Sequence, residues 1–165
     1  MILGVSVATF TTIHVILSLV AIAAGLLVLM RMLQRKRSGP LTAVFLLTTA
    51  LTSATGFPIP PLGLDPPRIV GVLSLVLLAT AIAGLYVFAL KGSWRWIYVV
   101  TAIGALYLNC FVAVAQTFMK VAFFNALAPT QAEPPFAVAQ GVVLVLFVAF
   151  AVLAVRRFPA SPAPA

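Results

Sequence analysis

Reactive side chains are scarce in this chain. It holds one histidine, His14, one cysteine, Cys110, and two acidic residues, Asp65 and Glu133. General acid–base catalysis needs a titratable group beside the reacting atoms, and covalent catalysis needs a nucleophile next to a base. Neither arrangement can be read here: no acid lies within an apolar segment, and no nucleophile is read as activated by an adjacent base. A zinc site needs three or four His, Cys or carboxylate ligands, and a haem held across two helices needs a second histidine. The sequence therefore implies no catalytic residue, no metal and no cofactor, and points away from an enzyme.

The remaining polar side chains are amides and hydroxyls set in apolar stretches. Thr11, His14, Ser18, Ala21 and Gly25 fall on one helical face, as do Tyr98, Ala105, Asn109, Gln116 and Lys120. Thr42, Thr49, Ser53 and Gly56 share a third face, and Thr48, Thr52 and Thr55 lie on another face of the same segment. A segment polar on two sides is expected to be enclosed by protein all round. Gln140 opens the last apolar stretch. His14 falls at a depth between Asn109 and Gln116, so it is expected to face the segment that carries both amides.

The segments that position these residues are membrane-spanning in character. Apolar residues make up 64% of the 165-residue chain and charged residues 7%, against about a quarter charged in soluble domains. Mean hydropathy is +1.23. A domain this small leaves much of its surface exposed, so lipid must be the main solvent. The expected fold is an all-α integral membrane bundle of five helices, about 7–30, 41–57, 69–90, 96–120 and 136–155, forming one domain over residues 1–157. The Pro/Ala-rich residues 158–165 are expected to be a disordered tail. The glycines at 25, 56, 71, 84, 104 and 141 mark expected close approaches between helices.

Charge sets the expected orientation. With five spans, Arg31, Arg35, Lys36, Arg37, Lys91, Arg95, Arg156 and Arg157 share one side, eight cations, and Arg68 and Lys120 the other, two. Cytoplasmic loops carry the Lys/Arg excess, so the N-terminus lies outside and the C-terminus in the cytoplasm. Were the second segment not to cross, the split would fall to six against four. The net charge of +8 then reflects insertion, with anionic lipids as the cytoplasmic-face partner, and not nucleic-acid binding. No Lys or Arg precedes the first apolar run, which reads as a retained helix and not a cleaved signal peptide.

In that orientation His14, Ser18, Thr52, Ser53, Asn109, Gln116 and Gln140 form a candidate polar pocket, mostly in the outer half. Two readings stay open: a site that binds or passes a small ligand or ion, and hydrogen-bonded glue between helices. The matching functions are a small-ligand membrane component and a structural or assembly subunit with a partner membrane protein or a second copy. A membrane redox enzyme ranks third.

The stretches Thr11–Leu29, Leu51–Phe57 (LTSATGF), Trp94–Asn109 (WRWIYVVTAIGALYLN) and Ala128–Phe136 (APTQAEPPF) resemble a family of small multi-pass bacterial inner-membrane proteins that are uncharacterised. The resemblance spans nearly the whole chain. It implies a bacterial inner-membrane location and brings no activity, cofactor or site residue.

Overall fold

A computed structural model describes residues 1–37, 39–60 and 65–159. The described residues are helical, with no strand beyond a bridge between Ile2 and Val5. Helix α1 is Val7–Leu33, α2 Gly39–Gly56, α3 Pro66–Ile82, α4 Trp94–Lys120, α5 Ala122–Leu127 and α6 Pro134–Arg157. The five expected segments correspond to α1, α2, α3, α4 and α6, with ends shifted by a few residues. The short α5 falls in what reads from the sequence as a loop.

Local chemistry explains the ends. The Ser6 hydroxyl accepts from the Thr9 amide at 3.1 Å and opens α1. Asp65 caps α3, accepting from the Arg68 amide at 3.1 Å, and Pro66 and Pro67 occupy the first turn, where a missing N–H costs nothing. The α3 helix loosens into one π turn, Ala83–Val87, and ends where Ala89 and Leu90 adopt positive φ. The Phe88 ring stacks on Trp94 at 3.8 Å, which fixes the α3–α4 corner.

Four helices are long and apolar enough to cross a membrane: α1, α3 with its π turn, α4 and α6, with mean hydropathy 2.7, 2.4, 2.0 and 2.8. Their hydrophobic side chains are widely exposed, among them Ile16, Leu19, Val72, Val76, Val145 and Val148. In water such a surface would be unstable; in lipid it needs no other explanation. The α4 helix contacts every other helix, while α6, α1, α2 and α3 form an arc around it. Of the spanning windows, 39% of α4 is buried against 17% of α6, which identifies α4 as the axis of the bundle.

Sequential helices run antiparallel. His14 near the start of α1 meets Thr55 near the end of α2, and Gly25 meets Phe45 midway. A Cβ at Gly25 would lie 2.5 Å from a Leu106 methyl and 2.8 Å from the Phe45 ring, so three helices converge on that backbone. Gly84 similarly admits Tyr98 and Trp94. By contrast, nothing lies within 4 Å of a Cβ at Gly141, which corrects the expectation that it marks a close approach.

The α2 helix is not enclosed all round. Val44, Leu47 and Leu51 form an exposed stripe, Leu47 at 61% and Leu51 at 42% exposure, with Ala43 and Ala54 beside them. Thr42, Thr49, Thr52 and Ser53 point inward. Thr48 and Thr55, at the margin, donate to the Val44 and Leu51 carbonyls four residues back, both at 2.7 Å. That local bond satisfies a hydroxyl without a neighbouring helix, so two polar faces do not require two protein partners.

All eight cations of the charge-rich set lie at one end of the bundle. Arg37 donates to Pro159 O at 2.9 Å and sits over the Phe158 ring. Arg95 donates to Val155 O and Phe158 O at 2.9 and 2.7 Å. Phe158, assigned from the sequence to a disordered tail, is therefore buried: two arginines satisfy the last carbonyls of α6, and the ring packs against Tyr98. The rest of that tail, residues 160–165, lies outside the described residues. At the far end, Arg68 pairs with Asp65 at 2.6 Å and donates to Phe57 O and Ile59 O, tying the end of α2 to the start of α3.

Candidate functional site

The seven polar residues expected to share a pocket divide into separate contacts. His14 takes its hydrogen-bond partner from α2 and not from the Asn109 or Gln116 amides of α4. Its Nδ1 lies 2.9 Å from Thr55 Oγ1 on α2. The Thr55 proton is committed to Leu51 O, so His14 Nδ1–H is the donor and Nε2 is left as the ring's acceptor. The depth expected for His14 is compatible with this partner. The neighbour differs because the α1–α2 hairpin brings Thr55 to that level before α4 can. Ser18 Oγ donates to the His14 carbonyl at 2.8 Å, within its own helix.

Asn109 Nδ2 donates to Thr49 Oγ1 at 3.3 Å, joining α4 to α2. Gln140 Nε2 donates to Phe111 O at 3.0 Å, joining α6 to α4. Thr52 and Ser53 are buried in α2, and Gln116 is half-buried on α4. Three buried polar atoms lack a partner among the described residues: Thr52 Oγ1, Ser74 Oγ and Gln140 Oε1. Among the described residues there is no group of three His, Cys, Asp or Glu side chains that could hold a metal ion.

A cavity opens away from these contacts. It measures about 120 Å³ and is set into the basic end of the bundle. Arg31, Lys36 and Arg37 border it, with Thr42 of α2, Tyr98 of α4 and Phe158 beyond α6. Aliphatic wall comes from Val28, Met32 and from Leu85 of the π turn. A smaller void of about 10 Å³ follows the Gly25–Phe45–Leu106 seam and is apolar. None of the seven expected pocket residues lines either space.

Around the larger cavity, the Arg37 guanidinium reaches across to the Pro159 carbonyl. Leu85 of the π turn forms one wall, and the Phe158 ring packs against Tyr98. Arg37 is engaged with the α6 end, whereas the side chains of Arg31 and Lys36 make no hydrogen bond or ion pair among the described residues. The two acids are at the opposite end, more than ~20 Å away by helical rise, several Debye lengths at physiological salt. The rim is thus an uncompensated positive site over an apolar floor.

Sequence reasoning placed Arg31, Lys36 and Arg37 in a charge cluster that sets orientation and Tyr98 on a polar helical face, but did not join them. The available signal was the aromatic Phe158 directly after the Arg156–Arg157 pair, an apolar residue that a solvated tail does not need. No protein-family model matches the chain, and no curated protein or solved structure matches it.

Proposed function

We propose that the chain is a non-enzymatic, five-span membrane component that holds a small ligand at its basic end. In this reading α2 is the fifth span. Its 18 residues rise about 27 Å at 1.5 Å each, close to the ~30 Å hydrocarbon thickness. It lies along α1 from the Gly39 end to the His14 level, and the stronger charge asymmetry that results when it crosses, eight against two and not six against four, favours the crossing. The N-terminus is then outside and the basic end cytoplasmic, in the inner membrane of a bacterium as the family resemblance implies.

The observation that carries the reading is the position of open volume. His14, Asn109 and Gln140 are taken up by contacts with Thr55, Thr49 and the Phe111 carbonyl, whereas the basic-end cavity is open and bordered by Arg31 and Lys36, whose side chains make no hydrogen bond or ion pair among the described residues. This moves the ligand site from the outward-facing pocket expected from the sequence to the opposite end. Extraction in mild detergent and native mass spectrometry should find one small molecule retained per chain. Leu85→Trp, which fills the cavity from a half-buried wall, should release it while leaving helicity near wild type, with a thermal midpoint that falls to that of the ligand-stripped wild-type chain. A chain that retains nothing, with Leu85→Trp indistinguishable from wild type, would favour an assembly subunit instead.

The assembly reading has one observation of its own. The α6 helix is the least buried span, and a Cβ at Gly141 on its exposed side would meet open space. Dependence of the chain's accumulation on a co-expressed membrane protein would support it.

A further inference from the structure

We infer that the basic-end cavity takes the phosphate headgroup of an anionic phospholipid. The inference deepens the proposed ligand site and rests on it, but not on which side of the membrane the basic end faces.

Three features fix the ligand class. The first is charge. The Arg31 and Lys36 side chains border the cavity without a hydrogen bond or ion pair among the described residues, and neither Asp65 nor Glu133 lies at that end to neutralise them. A guanidinium and an ammonium together suit a phosphate: the planar fork matches two oxygens, and the ammonium adds a compact charge. The second is neutral donors. Thr42 and Tyr98 place their hydroxyls on the same lining, hydrogen-bonded to each other, which leaves one hydroxyl proton of the pair for a phosphate or glycerol oxygen. The third is the floor. Val28, Leu85 and the other apolar walls form a surface that a free inorganic ion would leave uncovered and that the first carbons of an acyl chain would cover. Cationic pockets between helices at the membrane interface are the physical form in which proteins bind lipid headgroups.

The site also has the right depth. It lies at the last turn of α1, the first turn of α2 and the first turns of α4, where the helices leave the hydrocarbon. A phospholipid diffusing in the leaflet presents its phosphate at that level with its chains already in lipid. A soluble phosphate would have to enter from water against an apolar wall.

The test uses the full chain, purified in detergent and delipidated. Short-chain phosphatidylglycerol, phosphatidylcholine and inorganic phosphate are titrated separately, and thermal midpoint and bound mass are read. One phosphatidylglycerol should bind per chain and raise the midpoint, with phosphatidylcholine and inorganic phosphate at least tenfold weaker. The Arg31→Gln/Lys36→Gln pair should weaken phosphatidylglycerol binding by roughly tenfold or more, each interfacial cation contributing on the order of 1 kcal/mol. Lys91→Gln/Arg156→Gln removes the same charge at the same end without touching the cavity, and should bind as wild type. Both pairs are exposed and make no side-chain bonds among the described residues, so folding is not at issue. Equal loss in the two pairs would reduce the effect to diffuse surface charge and overturn the site. Phosphatidylcholine binding as tightly would overturn the charge argument, and inorganic phosphate binding as tightly would overturn the lipid. A retained molecule that is not a phospholipid would remove this inference and leave the proposed ligand site standing.

Discussion

Gly25 shows how much one absent side chain can decide. It sits where α1, α2 and α4 converge, and a methyl there would overlap both Leu106 and the Phe45 ring. Overpacking of a tight core typically costs about 1–3 kcal/mol. Gly25→Ala should therefore lower stability in a denaturant titration in detergent, by an amount in that range, whereas Gly141→Ala should be near neutral. Equal effects at the two positions would show that helix propensity, not packing, governs both. The sequence showed that Gly25 lies on the polar face of its helix but not that Phe45 fills the space beside it. His14 makes the same point for polar contacts. Periodicity placed it at a workable depth on a polar face, and depth alone left the Asn109 and Gln116 amides as plausible as Thr55. The choice was made by which helix packs first along α1, a property of the hairpin and not of residue spacing.

The element most affected by this limit is α2. Its hydroxyls suggested a helix surrounded by protein, yet Val44, Leu47 and Leu51 make an unbroken apolar stripe at i, i+3 and i+7 that was legible all along. The error lay in assuming that each hydroxyl needs a partner on another helix. Thr48 and Thr55 bond their own carbonyls instead. Spin labels at Leu47 and Leu51 should be quenched strongly by a lipid-phase relaxant and weakly by a water-soluble one, and labels at Thr49 and Ser53 weakly by both. Water-phase quenching along the whole stripe would mean that α2 lies outside the hydrocarbon. The other long helices were easier to read because length and hydropathy suffice when one face carries no polar residue. Their ends were less so: α5 and the π turn arise from packing against α4, and a six-residue helix leaves no periodic signal.

At the scale of the molecule, the charge pattern was the most informative part of the sequence. It predicted that eight cations share an end, and the helix pairing brings them together. Which side of a membrane that end faces is a matter for reporter fusions. Fusions after Arg37, Lys91 and Arg157 should report cytoplasm, and fusions after Pro60 and Thr130 the opposite side. A cytoplasmic signal after Pro60 would remove α2 from the spans and reverse every later segment. The cavity at the basic end was not legible, because its lining comes from positions as distant as Val28 and Phe158 and depends on a turn of π helix that no periodicity announces.

The pinning of Phe158 and Pro159 has a consequence for biosynthesis. The carbonyls that Arg37 and Arg95 hold belong to the last described residues of the chain, so neither arginine finds its partner until translation has passed them. Domains of a nascent chain fold from the N-terminus onward, and here α1 to α4 can insert and pair while the base of the bundle still gapes. Closure waits for the ribosome to deliver Phe158. A chain that stops short of it would leave Arg37 and Arg95 without the Pro159 and Phe158 carbonyls and the base of the bundle open.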